Sequence, residues 1–211
     1  MKQIIQSGKP AYGVSVQFPS PEIVEMIGEL NFDWVMLDAE HGSITADNIG
    51  PMIMAAEIRG LTPIVRPENN DPSVINKYLD RGAMGVQVPH INTADEARAV
   101  VDACLYHPQG MRGLGGGRMA DFGWGSPVSE YVKTANSEML VCVQIEDVIA
   151  VENLDEILDV ENIDVFRRTD RSCTINGASR KQWASRCCAS HRACIQTYTC
   201  FRPCVGYARL S

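Results

Sequence analysis

Apolar residues recur along the first 166 positions in two alternating rhythms: short unbroken runs, and longer stretches of helical period. Residues 11–18 read as a first strand, and after Pro19 and Pro21 a helix-period run covers 22–30. A second run, Phe32-Asp33-Trp34-Val35-Met36-Leu37, ends abruptly in Asp38, Glu40 and His41 before Gly42 lets the chain turn. Such runs of 4–8 residues bounded by turn signals are strands buried on both faces of a parallel sheet. A helix over 48–59 follows, with Gly60 at its C′ position. Residues 62–67 form a third strand that carries Arg66. Asp71-Pro72 is an N-cap with proline at the first helical position, opening a helix over 73–81 that closes at Gly82. Strand four covers 85–89, and Thr93-Ala94-Asp95-Glu96 has capping-box spacing for a helix to about residue 106. A glycine-rich loop over 107–126 is long enough to be functional or mobile. A helix over 127–135, a strand over 139–146, a helix over 148–158 and a sixth strand over 163–166 complete the pattern.

Six strands alternating with helices predict βαβ units and a parallel sheet. The fold class is α/β of the (β/α)₈ TIM-barrel type, incomplete, with about six units. Polar side chains gather at the C-terminal strand ends: Asp38, Glu40 and His41, then Arg66, His90, Gln144 and Glu146. That edge is the catalytic rim of a barrel or the switch point of an open sheet. No Gly-x-Gly-x-x-Gly turn follows strand one, which speaks against a dinucleotide-binding open sheet.

These residue types set the possible chemistry. Glu146 ends an apolar run, where an unpaired carboxylate is costly. A metal, an arginine partner or solvent would each relieve that cost, and hard cations such as Mg²⁺ and Mn²⁺ take carboxylates and water. Asp38 near His41 suggests a carboxylate-oriented imidazole for proton transfer, or a surface histidine with an incidental neighbour. Arg66 could hold a substrate carboxylate or a developing oxyanion, or pair structurally with one of these acids. Residues 113–118 lack the Gly-Lys-Ser/Thr of a phosphate loop and read as a lid. His90 and His107 read as loop or supporting residues.

Composition changes this picture at one point. The 211 residues carry a net charge of −7, but residues 167–211 hold nine Lys/Arg and a single acid, Asp170. Residues 1–166 therefore carry a net of −15, which argues against a nucleic-acid partner. Six of the eight cysteines also lie beyond residue 166, leaving Cys104 and Cys142, a usage that suits a reducing compartment. No signal-peptide core and no membrane-length apolar run is visible, so a soluble, cytoplasmic protein is expected.

Five short motifs in order carry a resemblance: Phe32-Asp33-Trp34 with Leu37-Asp38-Ala39-Glu40-His41, Val65-Arg66-Pro67, Val86-Gln87-Val88-Pro89, His107-Pro108-Gln109-Gly110-Met111-Arg112-Gly113, and Val143-Gln144-Ile145-Glu146. Together they resemble the HpcH/HpaI aldolase/citrate lyase family of metal-dependent pyruvate aldolases. The resemblance implies a (β/α)₈ barrel, assembled as a homo-oligomer, typically a hexamer. It implies reversible aldol cleavage of a 4-hydroxy-2-oxo acid to pyruvate, or a related 2-oxo acid, and an aldehyde. By resemblance Glu146 is a ligand of a divalent metal, Mg²⁺ or Mn²⁺ first and Co²⁺ or Zn²⁺ next. Asp38 and His41 match the proton-transfer dyad that works with a metal-bound water. Arg66 matches the arginine that steadies the enolate and the aldehyde oxygen, and Gln144 lies beside the substrate. No Schiff-base lysine is required, and Lys77 and Lys133 are not at strand ends.

The resemblance stops after Phe166, where the family continues Ile-Gly-Pro-x-Asp-Leu and its aspartate is the second metal carboxylate. Here Arg167-Arg168-Thr169-Asp170-Arg171 follows, and that ligand is missing. Permissible codons for residues 171–184, read one base later, give Asp-Leu-Ala-Gln-Ser-Met-Gly-His-Gln-Gly-Asn-Ser-Gly, which looks like the family continuation. The expected organisation is a partial aldolase barrel over 1–166 and an aberrant basic, Cys-rich tail over 167–211, read out of frame. A zinc-binding appendage built on Cys188, His191, Cys194, Cys200 and Cys204 is the alternative for the tail. Six strands alone would leave two exposed sheet edges, with weak or absent metal binding and activity. Competing functions are a non-catalytic remnant that partners intact relatives, and a citrate-lyase-like barrel lyase acting on acyl-CoA thioesters. No basic adenosine-phosphate site precedes residue 167.

Overall fold

The computed structural model describes residues 1–168, 193–196 and 200–201. Its framework alternates strand and helix: β1 (Ala11–Val16), α2 (Pro21–Glu29), β2 (Trp34–Asp38), α3 (Gly50–Ile58), β3 (Thr62–Arg66), α4 (Pro72–Leu79), β4 (Gly85–Val88), α5 (Ala94–Cys104), α6 (Val128–Glu138), β5 (Leu140–Ile145), α7 (Val148–Glu152), α8 (Leu154–Leu158) and β6 (Val165–Arg168). A short helix, α1 (Lys2–Gln6), precedes them. β1 through β6 pair in sequence order, every ladder parallel, and the sheet curls as in the βα barrels. The predicted start signals are in place. Asp71 accepts from the Ser73 amide at 2.7 Å, with Pro72 at the first helical position. Thr93 and Glu96 close a reciprocal capping box on α5.

Alternation along each strand divides the buried residues into two sets. Val35, Leu37, Val65, Val86, Val88, Val141, Val143, Ile145 and Phe166 face the helices and join the main core. Ala11, Trp34, Met36, Ile64, Leu140, Cys142 and Val165 form a second cluster on the concave face, with Ile5 of α1 and partly buried Met1 and Ile4 packed against it. Following the inner face of β2 toward its C-terminus, Trp34 and Met36 give way to Asp38. β5 makes the same passage from Leu140 and Cys142 to Gln144. The interior is therefore apolar at the N-terminal strand ends, beneath α1, and polar at the C-terminal ends. Cys104 and Cys142 are buried free thiols, each pushed up to about 12 by that burial.

Three features depart from the expectation. The helix expected over 148–158 is two helices that meet at Asn153, whose side-chain amide donates to the Asn92 carbonyl at 2.9 Å. The long loop contains a 3-10 turn at Arg118–Gly123, and it is tied down at two points. Arg118 pairs with Glu57 on α3, while Arg112 lies 4.8 Å over the Tyr106 ring and 3.3 Å from Asp80. Nor are the outer strands of the six left bare. β7 (Ala193–Gln196) pairs parallel with β6, and β8 (Cys200–Phe201) pairs antiparallel with β1. Two open edges, expected from the six-strand count, are thus replaced by short ladders drawn from the tail; among the described residues no ladder joins β7 to β8. The remaining tail positions, with the Cys188/His191 grouping, lie outside the described residues. No described helix is long and apolar enough to cross a membrane.

Candidate functional site

The parallel register of β2 and β3 sets Asp38 opposite Arg66 at the polar end of the inner face. Asp38 is fully buried, and its two carboxylate oxygens accept from Arg66 Nε at 2.9 Å and Nη2 at 2.5 Å. Gln17 Nε2 donates to Oδ2 at 3.1 Å, and the backbone amides of Glu40 and His41 donate to Oδ1 at 3.2 Å. Burial alone would raise this carboxyl, but the Arg66 bonds and the other donors together hold it below the usual carboxylate range. The fork geometry makes this a bidentate pair.

The turn after β2 depends on Gly42. A Cβ there would lie 2.3 Å from both the Asp38 and Gln17 carbonyl oxygens, and neither backbone can yield without shifting the site. Gly42→Ala is expected to cost about 1–3 kcal/mol, as overpacking typically does. The urea midpoint checks this.

A second group stands beside the pair. Glu40, two residues beyond β2, has a carboxylate only 7% exposed. Its Oε1 lies 3.3 Å from His90 Nε2 and 3.6 Å from His41 Nε2. Its Oε2 lies 3.2 Å from Arg66 Nε but accepts no hydrogen bond, because that N–H is directed to Asp38. His90 follows β4 in the left-handed region (φ 56°), which turns its main chain and its ring toward the same carboxylate. Its backbone N–H donates to Glu146 Oε1 at 2.8 Å, and its Nδ1 lies 3.3 Å from that oxygen. Asp147 Oδ2 is 3.7 Å from the same nitrogen. The ligand atoms that Glu40, His90 and Glu146 can offer all lie within 4.8 Å of one another.

Fully buried Gln144 closes the floor between the two groups. Its Oε1 accepts from Gln87 Nε2 at 2.5 Å and from Arg167 Nη1 at 2.6 Å, while its Nε2 donates to Glu146 at 3.4 Å. Burial pushes Arg167 below its ordinary value, offset in part by the surrounding acids.

The sequence-predicted residues Asp38, His41, Arg66, Gln144 and Glu146 thus converge on one rim, as do Glu40 and His90. One relation differs from expectation. Asp38 reaches His41 through the backbone amide rather than the ring, because Arg66 and Gln17 already occupy its oxygens. The His41 imidazole is 65% exposed, and its nearest carboxylate is Glu40. Three participants were not singled out from sequence: Gln17, Gln87 and Arg167. For His90 the sequence predicts only a loop or supporting residue. Its signal was its place just past a strand end. His107, Lys77 and Lys133 are exposed and off the rim.

A curled parallel sheet with acids, an imidazole and a buried arginine at its C-terminal rim defines a barrel-type enzyme scaffold. The model of the HpcH/HpaI aldolase/citrate lyase family matches residues 12–170, and the chain belongs to that family. It is 36% identical over 163 residues to a 4-hydroxy-2-oxo-heptane-1,7-dioate aldolase of Escherichia coli, covering 77% of this chain and 62% of that one. A hydroxypyruvate/pyruvate aldolase of Deinococcus radiodurans is 34% identical over 163 residues, covering 77% of this chain and 58% of the relative. The chain therefore spans about three fifths of the length of these curated relatives. Among solved structures, an HpcH/HpaI aldolase from Desulfitobacterium hafniense superposes with a TM-score of 0.83 at 27% identity, over 93% of this chain and 80% of that one.

The donor set can be tested against a divalent ion. Two ligands bound about 2.1 Å from one ion stand roughly 3.0–3.4 Å apart. The Glu40 and Glu146 oxygens each stand 3.3 Å from His90, but from opposite ring nitrogens, so the imidazole bridges the two carboxylates. The Glu40 and Glu146 carboxylates gather oxygens of the kind a hard divalent cation takes, and these residues fit such an ion.

Proposed function

We propose that this chain is a carbon–carbon lyase of the metal-dependent aldolase type. It would cleave a 4-hydroxy-2-oxo acid reversibly to pyruvate, or a related 2-oxo acid, and an aldehyde. The observation that carries this reading is the convergence of Arg66, Gln144 and the Glu40–His90–Glu146 group on one strand-end rim. In the proposed roles, Glu146 is a ligand of a divalent cation, Mg²⁺ or Mn²⁺ foremost. A bound divalent cation would act as a Lewis acid on the keto oxygen. Arg66 uses Nε and Nη2 on Asp38, so its position is set before substrate arrives, and Nη1 is left for a substrate oxygen. Gln144 lines the site beside the oxo acid. His41, at the exposed mouth, takes the proton of the 4-hydroxyl as the C3–C4 bond breaks, with Glu40 steadying its ring.

We further propose that residues 167–211 are an out-of-frame tail on a partial barrel over 1–166. The family's second carboxylate is missing from the stretch after Phe166, where Arg167-Arg168-Thr169-Asp170-Arg171 stands, so aldolase activity is expected to be weak. That Arg167 is bonded to Gln144 also favours a second reading, a non-catalytic member that assembles with intact relatives into a family-like oligomer. Pyruvate release, followed with lactate dehydrogenase and NADH, tests both. Glu146→Ala and His41→Ala are each expected to lower it by at least about tenfold, the lower range for an acid–base group. Release that is measurable but indifferent to both substitutions would sink the assignment. Release at the full rate of an intact relative would sink the impairment.

A further inference from the structure

We propose that Arg167 gives this chain a carboxylate site on the inner face of β6, one that holds a 2-oxo acid by its carboxylate with no metal required. The proposal deepens the reading above and rests on it for the choice of ligand. It gives a binding role to the residue at which the chain departs from its family. Its consequence is a chain that takes up the oxo acid whether or not it performs the cleavage.

The geometry places the guanidinium in the interior. Parallel register sets Arg167 beside Gln144, and Val165, two residues earlier, belongs to the concave apolar cluster. Arg167 Nη1 donates to Gln144 Oε1 at 2.6 Å. Gln87 Nε2 donates to the same oxygen at 2.5 Å, and Gln144 Nε2 is turned toward Glu146. The guanidinium is thereby fixed at the level of Gln144, the amide beside which the oxo acid is proposed to lie. A guanidinium carries five N–H donors in a planar fork, and the Gln144 bond uses one of them. The remaining donors match the two oxygens of a carboxylate.

Charge provides the independent sign. Arg59, Arg66, Arg81, Arg98, Arg112 and Arg118 each stand in an ion pair with an aspartate or glutamate. Arg167 has no such partner among the described residues, and its bond goes to a neutral amide. Burial works against its cationic form, and the nearby charge of Arg66 adds to that. The neighbouring acids are engaged elsewhere. Asp38 is bonded to Arg66, and Glu146 accepts from the His90 backbone amide and from Gln144. A partly desolvated cation bonded only to an amide is costly to keep, and a ligand carboxylate supplies the missing counter-charge.

The full chain, stripped of metal by a chelator and dialysed free of it, provides the test. Pyruvate, followed by ligand-observed nuclear magnetic resonance, is expected to bind this metal-free chain. Methyl pyruvate, which lacks the anionic carboxylate, should bind at least about tenfold more weakly. Arg167→Ile, which restores the residue with which the family continues after Phe166, should weaken pyruvate binding by at least about tenfold. Arg98→Met, on the exposed side of α5, should leave it unchanged. Circular dichroism spectra that overlay for all chains keep a folding defect from imitating the result. No pyruvate bound until Mg²⁺ or Mn²⁺ is added, an affinity unchanged in Arg167→Ile, or an ester that binds as tightly as the acid would each overturn the proposal. The two failures separate. Metal-dependent pyruvate release without metal-free binding removes only this inference, whereas metal-free binding through Arg167 without pyruvate release removes only the aldolase assignment.

Discussion

Shifting the reading frame by one base near codon 167 is expected to raise pyruvate release by at least about a hundredfold, or about 2.7 kcal/mol of transition-state stabilisation. The cause would be local. In the present frame the inner position of β6 is Arg167, and its guanidinium occupies the Gln144 carbonyl at 2.6 Å. A carboxylate arriving just beyond that strand would bring a second hard ligand to the rim and take away a fixed positive charge. Binding should strengthen as well, because a second carboxylate is a hard ligand of the kind Mg²⁺ and Mn²⁺ take. Steady-state assays of both frames with Mg²⁺ and with Mn²⁺ provide the check. The nucleotide sequence across codons 160–175 provides another. An unbroken frame there, together with equal activity of the two chains, would refute the out-of-frame tail.

Arg66→Met is expected to destabilise the fold by about 3–5 kcal/mol, the range for removing one partner of a buried ion pair. Asp38 is fully buried, and losing Arg66 takes away both side-chain nitrogens that bond it most closely. Gln17 and two backbone amides would remain, too few to offset desolvation of the charge. The pH dependence should change with it. Because the folded carboxyl lies below its ordinary value, Asp38 contributes stability that is present above the unfolded pKa and lost as pH falls through the folded one. The window is therefore acidic, below about pH 4. Chemical denaturation between pH 3 and pH 7 should show that acid-side loss in the parent chain. In Arg66→Met it should shrink or reverse. A variant within 1 kcal/mol of the parent and with the same acid limb would rule out the pair as a mainstay of the fold.

What the sequence made legible follows from how local each cause is. The passage from Leu37 to Asp38 and from Ile145 to Glu146 marks a buried strand turning polar at its end, and period alone reveals it. Asp71 and Thr93 announce helix starts because their side chains bond backbone amides a few residues ahead. The gathering of Asp38, Arg66, Gln144 and Glu146 was legible once the strands were taken as parallel, since parallel order puts every C-terminus at one edge. Less local causes were not visible. Asn153 interrupts a helix because its side chain bonds a carbonyl 61 residues away. His90 enters the acidic group through a left-handed backbone that no neighbouring glycine advertises. The relation between Asp38 and His41 is not legible in sequence because the competition for the aspartate comes from Arg66 and Gln17, both distant along the chain.

Among the described residues, the apolar cluster beneath α1 closes the N-terminal end of the interior. Trp34, Met36, Ile64 and Leu140 fill that far end and Ile5 packs against them, so the described interior opens at the polar rim. For a reaction that makes two molecules from one, traffic then has an order. In the proposed aldol cleavage the aldehyde, nearer the opening, would depart before an oxo acid held deeper beside Gln144 and Glu146. In the synthetic direction the sequence reverses, and the oxo acid must load first. Product inhibition would carry that signature: pyruvate competing with the cleavage substrate, and the aldehyde giving a mixed pattern.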